Sequence, residues 1–87
     1  MTQNLSSYYV FYIAAKTGNI SAASKELYIS QPAVSKSITK LEANLNARLL
    51  VRSSRGVTLT REGEILYERL KEALNIAFQE ASKATKG

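Results

Sequence analysis

The sequence predicts a mostly α-helical domain of three short helices, a two-stranded hairpin and one long terminal helix. Three observations lead there. Residues 29–45, ISQPAVSKSITKLEANL, read as one short helix with a start signal and two unlike faces. Residues 5–17 and 61–83 carry apolar side chains at helical spacing. Between them, residues 49–59 hold two short apolar runs around a Ser-Ser-Arg-Gly loop.

The first helix is expected over Leu5 to Thr17. Leu5, Tyr8, Phe11, Tyr12 and Ala15 form an apolar face, which Tyr9 and Ile13 widen. Aromatic residues at this spacing read as core rather than as a stacking platform. Lys16 falls in the last turn, where the helix dipole favours a cation. Gly18 can take the left-handed conformation that ends the helix. Ser21 is the expected cap of a second helix, Ala22 to Leu27, with Ala23 and Leu27 facing inward. Tyr28 and Ile29 make the turn.

Ser30 opens the third helix. Its hydroxyl can accept a hydrogen bond from a first-turn amide that lacks a helical partner. Pro32 sits within the first turn, where a missing N–H costs nothing. Ile29 and Val34 have the spacing of a hydrophobic staple. Val34, Ile38, Leu41 and Leu45 make one stripe for burial. The opposite face carries Gln31, Pro32, Ser35, Lys36, Thr39 and Lys40, with no carboxylate before Glu42. A helix buried on one side and offering amide, hydroxyl and ammonium groups on the other suits a DNA major groove. Two short helices joined by such a turn are a helix-turn-helix.

Residues 44–47 break the helical pattern. Leu49 to Val51 and Val57 to Leu59 are the expected strands, with Gly56 in the loop and Arg52 and Arg55 near the tip. The predicted fold is therefore a winged helix-turn-helix, three helices plus a two-stranded wing, over residues 1–59. A linker helix for dimerisation follows over 60–87. Thr60 caps it and Glu62 complements its dipole. Leu66, Leu70, Ala73, Leu74, Ala77 and Ala81 form its main stripe, flanked by Tyr67 and Phe78 on one side and Ile65 and Ile76 on the other. That arc is wider than one contact with a small domain needs. Pairing with a second copy through Leu66, Tyr67, Leu70, Leu74, Ala77, Phe78 and Ala81 would bury the surplus.

Composition narrows the function. The 87 residues suffice for one small domain, and an apolar share of 45% allows a real core. The absence of cysteine and histidine removes disulfides, nearly all zinc sites and every His-based catalytic arrangement. No nucleophile–base pair, phosphate loop or cofactor motif is visible, so no enzyme and no cofactor is expected. No apolar run approaches a membrane span and no signal-peptide layout is present, so a cytoplasmic protein is expected. The net charge is +5, and its distribution says more. Lys16 to Arg61 hold eight cations against Glu26 and Glu42, whereas Glu62 to Gly87 hold four cations against five glutamates. The positive charge sits where phosphates would be met, not on the long helix.

The run Ile29 to Lys36, with Phe11, Gly18, Leu41-Glu42, Leu49-Leu50, Arg52, Leu59-Thr60 and Gly63, resembles the N-terminal module of LysR-type transcriptional regulators. The resemblance covers about Leu5 to Leu70. It implies a winged helix-turn-helix with a linker helix through which two subunits pair. It also implies double-stranded DNA, read as an interrupted palindrome, as partner. A C-terminal effector domain normally follows and senses a small-molecule inducer. These residues contain none of it, so the expectation is the DNA-binding part of a longer regulator, with an unusual short protein as the alternative. Gln31, Pro32, Ser35 and Lys36 match base-contacting positions. Arg52 and Arg55 match wing positions that reach the backbone or minor groove, and Ser21 matches a phosphate-contacting hydroxyl. With Ser30, Thr39 and Lys40 these are the candidate DNA contacts. Lys36 stands where arginine is common and cannot make the two-pronged contact to guanine, which loosens specificity there. Ala22 replaces a frequently basic residue, and Asn19-Ile20 and Leu50 depart from the usual core residues. The competing expectation is a winged helix that only pairs with protein partners. The cation-rich middle segment argues against it.

Overall fold

The structure, a computed structural model, describes residues 2–86, with side chains described for 7–77 and 79–81. The chain forms α1 (Thr2–Thr17), α2 (Ile20–Leu27), α3 (Gln31–Leu45), β1 (Leu50–Ser53), β2 (Gly56–Leu59) and α4 (Arg61–Lys86). The expected order of elements holds, and α1 begins at Thr2 rather than Leu5. The side chains of Leu5 and Phe78, expected on the first helix's apolar face and in the dimer seam, lie outside the described residues.

The core gathers Val10, Phe11, Ile13 and Ala14 of α1, Ala23 of α2, Val34, Ile38 and Leu41 of α3, and Leu49 and Leu50 at the start of the hairpin. Helix α1 packs against α2, α3 and α4, so it is covered on more than one side. Its deepest residues are therefore not the expected Tyr8 and Tyr12, which are half-buried at the edge of the core. Tyr12 instead stacks on Tyr67 of α4, with ring centroids 5.1 Å apart and planes 16° apart, an offset aromatic pair. Tyr9, expected to widen the apolar face, is 47% exposed.

Three corners are set by backbone conformation. Gly18 (φ 70°) ends α1, its N–H bonded to the Ala14 carbonyl at 2.9 Å. Tyr28 (φ 59°) ends α2 and Asn46 (φ 54°) ends α3, both in the left-handed region. Asn46 turns the chain away just after Leu45, which is 40% exposed instead of buried with the rest of its stripe. Ile29, the expected staple partner of Val34, is likewise exposed.

Strands β1 and β2 pair antiparallel with Leu50 opposite Leu59 and Ser53 opposite Gly56, leaving Ser54 and Arg55 as the turn. The hairpin is docked at both ends. Val57 N–H donates to the Gly18 carbonyl at 3.1 Å, and a Cβ on Gly56 (φ 124°) would collide with that same carbonyl. At the root, Thr60 N–H donates to the Leu49 carbonyl at 3.0 Å and Thr60 Oγ1 to the Arg48 carbonyl at 2.6 Å. Thr60 Oγ1 also accepts from Gly63 N–H at 3.0 Å, the expected cap of α4. Gly63 lets α4 cross directly over the Leu49 carbonyl, where a Cβ would have no room.

Helix α4 has 26 residues, or about 39 Å. Leu66, Tyr67 and Leu70 pack on the core. From Lys71 onward every described side chain of α4 is exposed, including Leu74, Ala77 and Ala81. The molecule is accordingly long, 47 × 27 × 25 Å.

Candidate nucleic-acid interface

The outer face of α3 is held out by a buried stripe and a fixed start. Ser30 (φ −73°, ψ 158°) accepts from Ala33 N–H at 3.2 Å, and Pro32 follows in the first turn. Val34, Ile38 and Leu41 anchor the helix from beneath. Gln31, Pro32, Lys36, Thr39 and Lys40 are then exposed and Ser35 half-buried. The expected division of the helix into a core side and an open polar side is what the fold presents.

The wing lies beside this face. Arg52 stands in β1 opposite Val57, and Arg55 in the turn. The Arg52 guanidinium donates from Nη1 to Ser35 Oγ at 2.9 Å. Wing and helix are thus joined by a side-chain bond that neither residue type announces in the sequence. An open groove between the wing and the starts of α2 and α3 brings together Ser21, Gln31, Arg52 and Arg55 with Asn19. Thr39 and Arg52 line a second groove, between α3 and the root of the hairpin, together with Glu42 and Arg48. Pro32, Lys36 and Lys40 line neither groove and stand on the open helix surface.

Ser21 does not cap α2. Asn19 does, accepting from Ala22 N–H at 3.0 Å with extended backbone (φ −157°, ψ 124°). Asparagine and serine cap about equally well, so the first suitable residue after Gly18 takes the position. Ser21 lies in the first turn of α2, half-buried, and its carbonyl accepts from Ser24 Oγ at 2.8 Å.

Electrostatics follow from which cations find carboxylates. Lys16 pairs with Glu26 at 3.6 Å and Arg48 with Glu42 at 3.7 Å. Those are the two acidic residues of the segment between Lys16 and Arg61. Lys25, Lys36, Lys40, Arg52, Arg55 and Arg61 are exposed, and none pairs with a carboxylate among the described residues. Lys25 and Arg61 were not among the expected contacts, and that they form no ion pair among the described residues is visible only in the fold. Glu42 is the first carboxylate along α3, and the sequence alone suggested no partner for it. It turns inward, accepting the N–H groups of Leu49 at 2.7 Å and Leu50 at 3.2 Å. Among the described residues no cluster of His, Cys, Asp or Glu offers a metal site, and no helix is long and apolar enough to cross a membrane.

Residues 5–64 match the family model of the bacterial regulatory helix-turn-helix proteins of the lysR family. The chain is 41% identical over 76 residues to an uncharacterized HTH-type transcriptional regulator, MJ0300, of Methanocaldococcus jannaschii, covering 87% of this chain and 26% of that protein. Four curated relatives it matches are spanned over 22–26% of their length. Among solved structures, the BenM_DBD complex with catB site 1 DNA is similar with a TM-score of 0.84 at 30% identity, over 94% of this chain and 91% of that one. The CbnR_DBD–DNA complex is similar with a TM-score of 0.77 at 34% identity, over 92% of each chain. The fold as a whole thus recurs in DNA-binding domains solved on DNA. By fold and by sequence, this chain belongs to the LysR family of bacterial regulatory helix-turn-helix proteins.

Proposed function

We propose that the chain is the sequence-specific DNA-binding module of a longer transcription regulator. Helix α3 enters the major groove. Gln31, Pro32, Ser35 and Lys36 meet base edges, with Thr39 and Lys40 farther along the same face. The wing places Arg52 and Arg55 against the adjacent backbone or minor groove, and Ser21 and Ser30 face phosphates. The observation that carries this reading is that six of the eight cations from Lys16 to Arg61 are exposed without a carboxylate partner among the described residues, on the helix-turn-helix, the wing and the start of α4. A surface on which cations outnumber acids and stay unpaired favours a polyanion. A winged helix that only met other proteins would gain nothing from it. The similar structures solved on DNA support the same reading.

The module acts as a homodimer through α4, so its target is an interrupted palindrome. Its role is binding, not catalysis, and its place is the cytoplasm. A small-molecule inducer would act through an effector domain beyond these residues. The test is titration of labelled duplex DNA at several salt concentrations. Affinity should fall with a log–log slope of about −0.9 per phosphate neutralised. Salt-independent binding, or no binding to any duplex at low salt, rejects the proposal.

A further inference from the structure

The bond between Arg52 and Ser35 does more than join the wing to α3. A serine hydroxyl is ordinarily ambiguous toward DNA, since it donates one hydrogen bond and accepts up to two. Here its options are narrowed. Arginine has no acceptor, so at 2.9 Å the guanidinium is the donor and Ser35 Oγ the acceptor. The Ser35 proton is meanwhile unspent. Thr17 and Ser24 return their protons to carbonyls of their own helices, Ile13 and Ser21, both at 2.8 Å. Ser35 makes no such bond among the described residues. An oxygen that accepts from a cation is a poorer second acceptor and its O–H a better donor. The adjacent positive charge also repels an approaching amino group.

The strand that carries the guanidinium is docked on the fold. The residue opposite Arg52 in the hairpin, Val57, is bonded to the Gly18 carbonyl, and no carboxylate among the described residues competes for Arg52. Resting on the DNA-binding reading above, we infer that Arg52 is a positioning residue for specificity. It fixes Ser35 as a hydrogen-bond donor, so that Ser35 reads an acceptor atom in the major groove, a purine N7, guanine O6 or thymine O4, and disfavours the cytosine amino group.

Sequences selected from a random duplex pool by the wild type, Ser35→Ala, Arg52→Ala and the double variant test this. One base pair should lose discrimination in Ser35→Ala, on the order of fivefold, by the value of a single base contact. Arg52→Ala should lose discrimination at the same pair, and the double variant should lose no more than either. Arg52→Lys, which can still donate, should keep most of it. Duplexes carrying base analogues at that pair then give the polarity. Removing a major-groove acceptor should weaken the wild type and leave Ser35→Ala unchanged. Discrimination that survives Arg52→Ala, losses that multiply in the double variant, or sensitivity to removal of the cytosine amino group would each overturn the inference. In the DNA-free protein, Ser35→Ala should shift the Arg52 guanidinium resonances, and unmoved resonances would overturn it as well. A wild type that enriches no sequence at all would instead sink the DNA-binding reading beneath it.

Discussion

The Glu42 carboxylate accepts the Leu49 amide at 2.7 Å, tying the far end of α3 to the root of the wing. The same oxygen accepts from Leu50 N–H at 3.2 Å and lies 3.7 Å from Arg48 Nε. The Glu42 side chain is only 14% exposed, whereas that of Arg48 is 76% exposed. The ion pair is therefore the weaker part of the cluster, and the two backbone bonds are the stronger part. They fix α3 against the root of the wing beside it.

Glu42→Ala should destabilise the fold by about 1–3 kcal/mol, because two backbone N–H groups at the core's edge lose their acceptor. Glu42→Gln keeps one oxygen and should cost less. Chemical denaturation measures both. Hydrogen exchange at Leu49 and Leu50 should accelerate in the alanine variant. Exchange that stayed as slow as in the wild type would mean that the carboxylate does not hold the wing's root.

Gly18, Gly56 and Gly63 should respond to substitution in a set order. At Gly63 and Gly56 an added Cβ meets a carbonyl oxygen at overlapping distance, that of Leu49 and that of Gly18. Both are backbone atoms within the fold, so neither can step aside cheaply. Gly63→Ala and Gly56→Ala should each cost at least about 2 kcal/mol, from overpacking and, at Gly56, from its φ of 124°. At Gly18 the nearest atom is the Val57 carbonyl oxygen, 4.0 Å away. Gly18→Ala should therefore cost only the left-handed conformation, about 1–2 kcal/mol. Thermal or denaturant unfolding of the three variants tests this order, and Gly18→Ala as the most damaging would contradict it.

Tyr28 should be improvable. It holds φ 59° while 93% exposed, so it carries the left-handed penalty and has little packing to lose. Asn46 occupies the same conformation with a residue that tolerates it. Tyr28→Asn should stabilise by about 0.5–1 kcal/mol. For a domain of this size that is a rise in Tm of a few degrees, on the order of 2–8 °C. Calorimetry showing a fall in Tm would mean that the tyrosine makes a contact worth more than its strain.

What could be read from the sequence was local. The Ser30 cap, Pro32 and the Val34–Ile38–Leu41 stripe obey rules that act within a few residues, and the fold keeps them. The Thr60 cap did so too. Asn19 and Ser21 are both good caps two positions apart, so pattern alone did not separate them. The inward turn of Glu42 depends on Leu49 and Leu50 arriving beside it, which no local rule foretells. The Arg52–Ser35 bond spans 17 positions and needs the docked hairpin to bring the two residues together. Gly56 was legible as a residue that can take positive φ, but it opens β2 opposite Ser53 and does not lie in the expected loop. Its larger role, giving the Gly18 carbonyl room, was not legible.

The long helix gives the last prediction, and the fold sharpens it. The apolar stripe of α4 divides at about Leu70. Leu66, Tyr67 and Leu70 are half-buried against the core, and Tyr67 is stacked on Tyr12. Leu74 is 38% exposed and Ile76 60% exposed, on a part of the helix where every described side chain faces solvent. If two chains pair through α4, Leu74 is in the seam but outside the single-chain core, whereas Leu70 touches that core. Leu70→Glu should therefore lower the stability of the fold itself, by several kcal/mol where the carboxylate is buried without a partner. Leu74→Glu should leave the fold of one chain intact and abolish pairing. Equilibrium sedimentation should find the unmodified chain dimeric at tens of micromolar and Leu74→Glu monomeric, with helical circular dichroism unchanged. A full palindromic site should then bind Leu74→Glu far more weakly than the wild type, and a half-site about equally. A wild type that sediments as a monomer with its helix intact, or a Leu74→Glu variant that stays dimeric, would show that the exposed stripe of α4 is not where two chains meet.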